Sequence, residues 1–217
     1  MSSGRIELAL LLGCSVAAAQ DFRVDGTLGR LDDAAVQKAV GDAGAAIEAC
    51  YSDHVGALRY VGGKLTVRAI VSRDGKVAHA QVADGDLGAW PVEKCLIDLA
   101  RRLDFGKPQG GNAEVRIPLE FAGRAPVTVM DEADSERELR QAMRALRAGC
   151  AGGPKEATVT AYVAAGGRVT SVGFASEAKL AAAWCDCAEK RSRSWQLSDP
   201  RGSAAKLTGK YTRGGSH

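Results

Sequence analysis

The chain has 217 residues, 46% of them hydrophobic but only 5% aromatic, and its 29 basic and 26 acidic side chains leave a net charge of +3. That length fits one or two domains, and interspersed charge with no basic stripe or arginine-rich arm excludes nucleic acid as the default partner. Much of the hydrophobic content is alanine, so any core is thin and in need of covalent staples.

Residues 6–19 form a short apolar run behind Arg5 that ends in Ala17-Ala18-Ala19. This pattern predicts a secretory signal with a small-residue cleavage site, too short to remain as a membrane anchor. Leu11-Leu12-Gly13-Cys14 also reads as a lipobox, with Cys14 the candidate lipidation site. The two processing routes exclude each other, and Glu7 within the run suits neither. Both imply export, to the periplasm or the outer membrane. The competing reading, a buried N-terminal helix, fits poorly with the polar stretch 20–30 that follows at once.

From Asp32 or Asp33, which can cap a helix, Val36, Val40, Ala43, Ile47 and Cys50 recur at helical spacing. Gly62-Gly63 breaks the chain. Leu65, Val67, Ala69 and Val71 then alternate with Thr66 and Arg68 as a half-buried strand does. Asp74-Gly75 predicts a hairpin turn, with residues 77–82 returning antiparallel. Pro91 suits the first turn of a second helix, whose face carries Val92, Cys95, Leu96, Leu99 and Leu103. After a glycine-rich loop, residues 113–121 alternate again as a third strand, and Pro118 places that strand at a sheet edge.

The second half follows the same order. Ser135-Glu-Arg-Glu138 reads as a capping box ahead of Leu139, Met143, Leu146 and Cys150. A hairpin spans residues 157–175 about Gly166-Gly167, a helix 178–194, and a last strand 204–212. The strand Lys64-Leu-Thr-Val-Arg-Ala-Ile-Val returns as Glu156-Ala-Thr-Val-Thr-Ala-Tyr-Val. A period of this size is one small domain copied, not a solenoid unit of roughly 20–50 residues. Glu189 and Arg193 stand where Leu99 and Leu103 are expected, which predicts a smaller core in the second copy.

Six cysteines are many for a cytosolic chain of this size and natural for an exported one. Cys50 and Cys150 each end a first helix, and Cys95 and Cys185 each sit in a second, ten residues before Phe105 and Trp195. Matching positions predict the disulfides Cys50–Cys95 and Cys150–Cys185. Cys187 is left over and competes with Cys185 for Cys150.

Each half therefore reads as an α+β layer of two helices on a three-stranded antiparallel sheet. The divisions are a signal at 1–19 (or a lipoprotein signal ending before Cys14) and a linker at 20–31. A first domain at 32–123, a linker at 124–134, a second domain at 135–213 and a tail at 214–217 complete them. Ala46-Ile-Glu-Ala-Cys-Tyr51, Asp74-Gly75-Lys76-Val77, Val92-Glu-Lys-Cys-Leu96, Phe105-Gly-Lys-Pro108 and Val115-Arg-Ile-Pro-Leu-Glu-Phe121 resemble the C-terminal domain of the AgmX/PglI family, which is itself similar to that of TonB. The second half resembles it only through the internal repeat, since it lacks the Cys-Tyr pair. What the resemblance implies is a non-enzymatic cell-envelope module whose free sheet edge receives an extended segment of an envelope protein. A long proline-rich spacer, as in a TonB-type energy transducer, is missing, and the mature chain is expected to hold no transmembrane helix.

No cofactor motif occurs: Gly149 to Gly153 is not followed by the Gly-Lys-Ser/Thr of a phosphate loop. Cys50 and His54, one helical turn apart, could be a nucleophile and base or two metal ligands, but no third group recurs nearby. Cys185-Asp-Cys187 could bind a soft metal or exchange disulfides, although redox enzymes of the thioredoxin type use Cys-x-x-Cys. Glu48, Asp53, Asp84 and Asp86 read as solvated faces and turns, Trp90, Trp184 and Trp195 as core, and Lys190-Arg191-Ser-Arg193 as a solvated helix end. The expected function is protein binding by strand addition, with Glu114, Arg116, Pro118, Leu119 and Glu120 as the candidate edge. The rivals are a thiol or metal protein built on Cys185 and Cys187, and a purely structural envelope protein.

Overall fold

A computed structural model describes residues 29–213, apart from 129 and 131. The expected signal, Cys14 and the tail lie outside the described residues. Among these, the order is α1 (Asp33–Asp42), α2 (Gly44–Val55), β1 (Gly63–Val71), β2 (Val77–Gly85), α3 (Trp90–Ala100) and β3 (Ala113–Phe121). It continues with α4 (Glu132–Gly149), β4 (Glu156–Val163), β5 (Val169–Ala175), α5 (Ala182–Ser192) and β6 (Ala205–Thr212). The fold is α+β, with two three-stranded antiparallel sheets ordered β2-β1-β3 and β5-β4-β6. In each half the first strand of the hairpin is central and the last strand joins its other side.

Local chemistry accounts for most boundaries. The Asp32 carboxylate accepts the N–H groups of Ala34 and Ala35 at 2.8 and 3.1 Å and starts α1. The expected single first helix is two, because the chain turns at Ala43, whose N–H bonds back to Ala39 and Gly41 carbonyls. Leu65, Val67, Ala69 and Val71 are buried on the core face of β1, between the less buried Thr66, Arg68 and Ile70. Gly75 closes the first hairpin at φ +89, a conformation that strains any side chain, and its N–H bonds Ser72 O at 2.8 Å.

Two expectations in the second half are corrected. The helix α4 begins at Glu132, three residues before Ser135, so Ser135 lies inside the first turns with its hydroxyl buried and unpartnered among the described residues. Glu138 does not reach back to cap; it takes the N–H of Ser198 at 2.9 Å and the Ser198 hydroxyl. The helix expected over 178–194 is shorter, running from Ala182 to Ser192, because the chain before it is committed to contacts with the first half.

The two apolar cores are continuous. Tyr51 stacks on Phe121 at 4.7 Å and donates its hydroxyl to Val61 O at 2.7 Å, holding α2 against β3. In the second half Phe174, Trp184 and Tyr211 form an edge-packed aromatic chain with centroid separations of 5.2 and 5.1 Å. Trp90 of α3 meets Phe174 of β5 at 6.2 Å and carries the core across the boundary. These rings and the buried Ala188 make up much of the second core, which buries fewer apolar residues than the first.

Candidate functional site: the edge of β3 and the seam between the halves

Four strands lie at sheet edges, and they are treated differently. Lys64 turns both backbone groups toward the β2 side: its N–H donates to Asp86 Oδ1 and its C=O accepts Asp86 N–H, each at 2.8 Å. The pair Lys64↔Glu120 is therefore a non-hydrogen-bonded pair of the β1–β3 ladder. Alternation along β3 then turns the backbone of Glu114, Arg116, Pro118 and Glu120 outward, and that of Val115, Ile117 and Leu119 toward β1. Pro118 thus sits where its missing N–H costs the ladder nothing. Leu119, expected among the edge groups, is corrected: its N–H belongs to the β1 ladder.

The face of β3 is also less free than its charges suggest. Glu114 is only 7% exposed, because Arg68 Nη2 and Arg116 Nε bind its two oxygens at 2.7 and 2.8 Å. Arg116 reaches on to Glu177 of the second half through two bonds of 2.7 and 2.9 Å. This bidentate pair, led by the hydrogen bond itself, raises the Arg116 pKa and lowers that of Glu177. Glu120 alone of the three stays exposed, with Lys64 Nζ at 3.6 Å. No backbone bond from another element reaches the outward groups of Glu114, Arg116 or Glu120 among the described residues. At the far edge, Thr128 crosses the start of β6 and donates to Ala204 O at 2.7 Å.

The other two edges, β2 and β5, close on each other. Ser176 N–H donates to Val82 O at 3.0 Å. The Gln81 amide, 1% exposed, donates to Ser176 O and Ala178 O at 2.6 and 2.9 Å and accepts Leu180 N–H at 3.2 Å. In the opposite direction, Ser171 Oγ donates to Gly88 O at 2.7 Å, and Tyr162 OH both donates to Gly62 O and accepts Gly62 N–H. Lys206 completes this side by bonding Gly62 O and Asp86 at 2.9 and 2.8 Å.

Glu93 lies at the centre. Its carboxyl, 2% exposed, accepts the N–H of Ala89 at 3.2 Å in its own half and that of Phe174 at 2.8 Å in the other. It occupies the position of a partner strand's carbonyl on β5. Burial pushes its pKa from an ordinary 4.5 up to about 7, against the pull of the backbone N–H groups of Phe174, Ala89 and Gly88. Sequence reasoning missed this group, although a signal existed: Glu93 shares the apolar stripe of Val92, Leu96, Ile97 and Ala100 on α3.

The cysteines correct one pairing. Cys50 is bonded to Cys95, but Cys150 is bonded to Cys187 and Cys185 is a free, buried thiol. The strand repeat is offset by 92 residues, which maps Cys95 onto Cys187; the aromatic pair Phe105 and Trp195, offset by 90, points instead to Cys185. On α5, Cys187 lies against the end of α4, with its sulfur 3.4 Å from Gly149 O, while Cys185 turns into the core. Burial raises the Cys185 pKa, with Glu93 and Asp186 adding to the shift, so the thiol is held neutral.

His54 Nδ1 donates to Cys50 O, 3.0 Å away, at the end of α2, and its candidate partner Cys50 is committed to a disulfide. Trp90 donates its indole N–H to Asp186, while Trp184 and Trp195 are buried. Among the described residues, no group of three or more His, Cys, Asp and Glu is placed to hold a metal ion, and no helix is long and apolar enough to cross a membrane. No known protein family, curated protein or solved structure matches the chain.

Proposed function

We propose that this chain is a non-enzymatic, exported cell-envelope module of two tandem TonB-C-like units of the AgmX/PglI type, and that it captures an extended partner segment along the outer edge of β3. The observation that carries this reading is the row of outward backbone groups at Glu114, Arg116 and Glu120, interrupted only by Pro118. Strand addition draws affinity from such groups and specificity from the side chains between them. The order helix, hairpin, helix, strand in both halves supports the tandem arrangement, and two disulfides support export. The buried, neutral Cys185 counts against thiol–disulfide exchange as the activity.

Glu120→Pro tests the edge, because it removes an outward N–H and leaves the β1 ladder whole. The expected result is loss of envelope-protein recovery in a pull-down, with an unchanged circular dichroism spectrum. The native complex should also protect the amides of Arg116 and Glu120 from hydrogen exchange. Undiminished recovery by the folded variant would place the binding site elsewhere. It would favour the purely structural role that the mutual closure of β2 and β5 suggests.

A further inference from the structure

We infer that Glu93 is a proton-operated latch between the two halves: the seam is tight when its carboxyl is protonated and loosens when it ionises, releasing the β2 and β5 edges. This inference does not depend on partner capture at β3.

The geometry comes first. Glu93 stands in the first turn of α3 and is fully enclosed, yet it bonds backbone on both sides of the seam, Ala89 on one and Phe174 on the other. The second half makes room for it at Gly173. A Cβ there would fall on the Glu93 carboxylate and lie 2.6 Å from Ala89 N, although the backbone of Gly173 is not in the left-handed region. Glycine at this position is a matter of space for the carboxyl.

Among the described residues, the Glu93 carboxyl is bonded only by backbone N–H groups and by no basic side chain. Cys185 of α5 and Tyr162 of β4 interact with it, and Lys94, the next residue of α3, is bonded to Asp186 at 2.8 Å. Ser171, Gly173 and Phe174 of β5 and Gln81 of β2 do not titrate. Asp86, beyond β2, is already held by Lys206. A charge on Glu93 is therefore balanced only by N–H dipoles, the first-turn end of α3 among them.

The sign follows from linkage. Docked, the carboxyl titrates near 7; undocked and hydrated, it returns toward its ordinary 4.5. A group whose pKa is raised by docking strengthens the docked state below the lower value and loses that contribution as pH rises through the higher one. Between about pH 4.5 and 7 the docking equilibrium should weaken on the order of a hundredfold.

Hydrogen exchange on the full chain measures this directly, after correction for the intrinsic pH dependence of exchange. Protection of the Phe174 and Ser176 amides should fall by one to two orders of magnitude between pH 5 and 8, on the order of the linkage effect. Amides in the centre of β1 and β4 should change far less. In Glu93→Gln, which cannot ionise, seam protection should be flat over the same range. Should that variant not fold, the carboxyl carbon resonance of Glu93 in the native chain gives an independent reading, with an expected midpoint near 7. A midpoint near 4.5, seam protection independent of pH in the native chain, or an unchanged pH profile in Glu93→Gln would each overturn the latch.

Discussion

Replacing Cys50 and Cys95 with alanine should lower the unfolding free energy by about 4 kcal/mol, read as a shift of the urea midpoint. The bond ties α2 to α3 across a sequence separation of 45, and loop-closure entropy sets the size of the effect. The Cys150–Cys187 bond, with a separation of 37, should give nearly as much, about 4 kcal/mol. Against a total of roughly 5–15 kcal/mol for an ordinary domain, either loss leaves the fold close to its limit. Cys185→Ala is the contrast: it removes one sulfur from the core and no cross-link, so a cost of about 1 kcal/mol is expected. Thiol labelling should reach Cys185 only in denaturant. If Cys187→Ala proved mild and Cys185→Ala severe, the second disulfide would be the one matching position suggested and not the one described here.

Gly173→Ala should cost about 1–3 kcal/mol, the range for overpacking a close-fitted site, and it should do so by separating the halves. The new methyl group meets the Glu93 carboxylate and the backbone of Ala89, neither of which can swing away as an exposed side chain would. Gly41→Ala is the matched control. Its position in α1 has nothing within 4 Å, so exchanging glycine for alanine inside a helix should stabilise by up to about 1 kcal/mol. Opposite signs for the two substitutions are expected in the same urea titration. Equal, small effects would mean that the seam does not close around Glu93.

These expectations also separate what was legible in the residues from what was not. Periodicity located the strands and most helical stretches, though not every helix end, because a strand with one buried face must alternate and a surface helix must repeat every three or four residues. Leu65 to Val71 and Leu139 to Leu146 state this openly, and the Asp74-Gly75 turn fixes the hairpin between β1 and β2. The return of residues 64–71 at 156–163 was visible for the same reason, since both segments form the central strand of a sheet. Pro118 announced an edge strand because proline cannot donate to a ladder.

Where the halves meet was not legible. Gln81, Glu93, Ser171 and Tyr162 are ordinary polar residues in sequence, and only tertiary packing turns them inward, onto backbone groups about a hundred residues away. The choice of Cys187 over Cys185 was of the same kind. Two positions along a helix are about 200° around its axis, so one sulfur faces the end of α4 and the other the core. Sequence determined which strands form and which faces are apolar, through local period and turn chemistry. Only the folded arrangement decided which polar groups are enclosed, which edges close on each other, and that a single carboxyl held by backbone N–H groups should sit between the two halves.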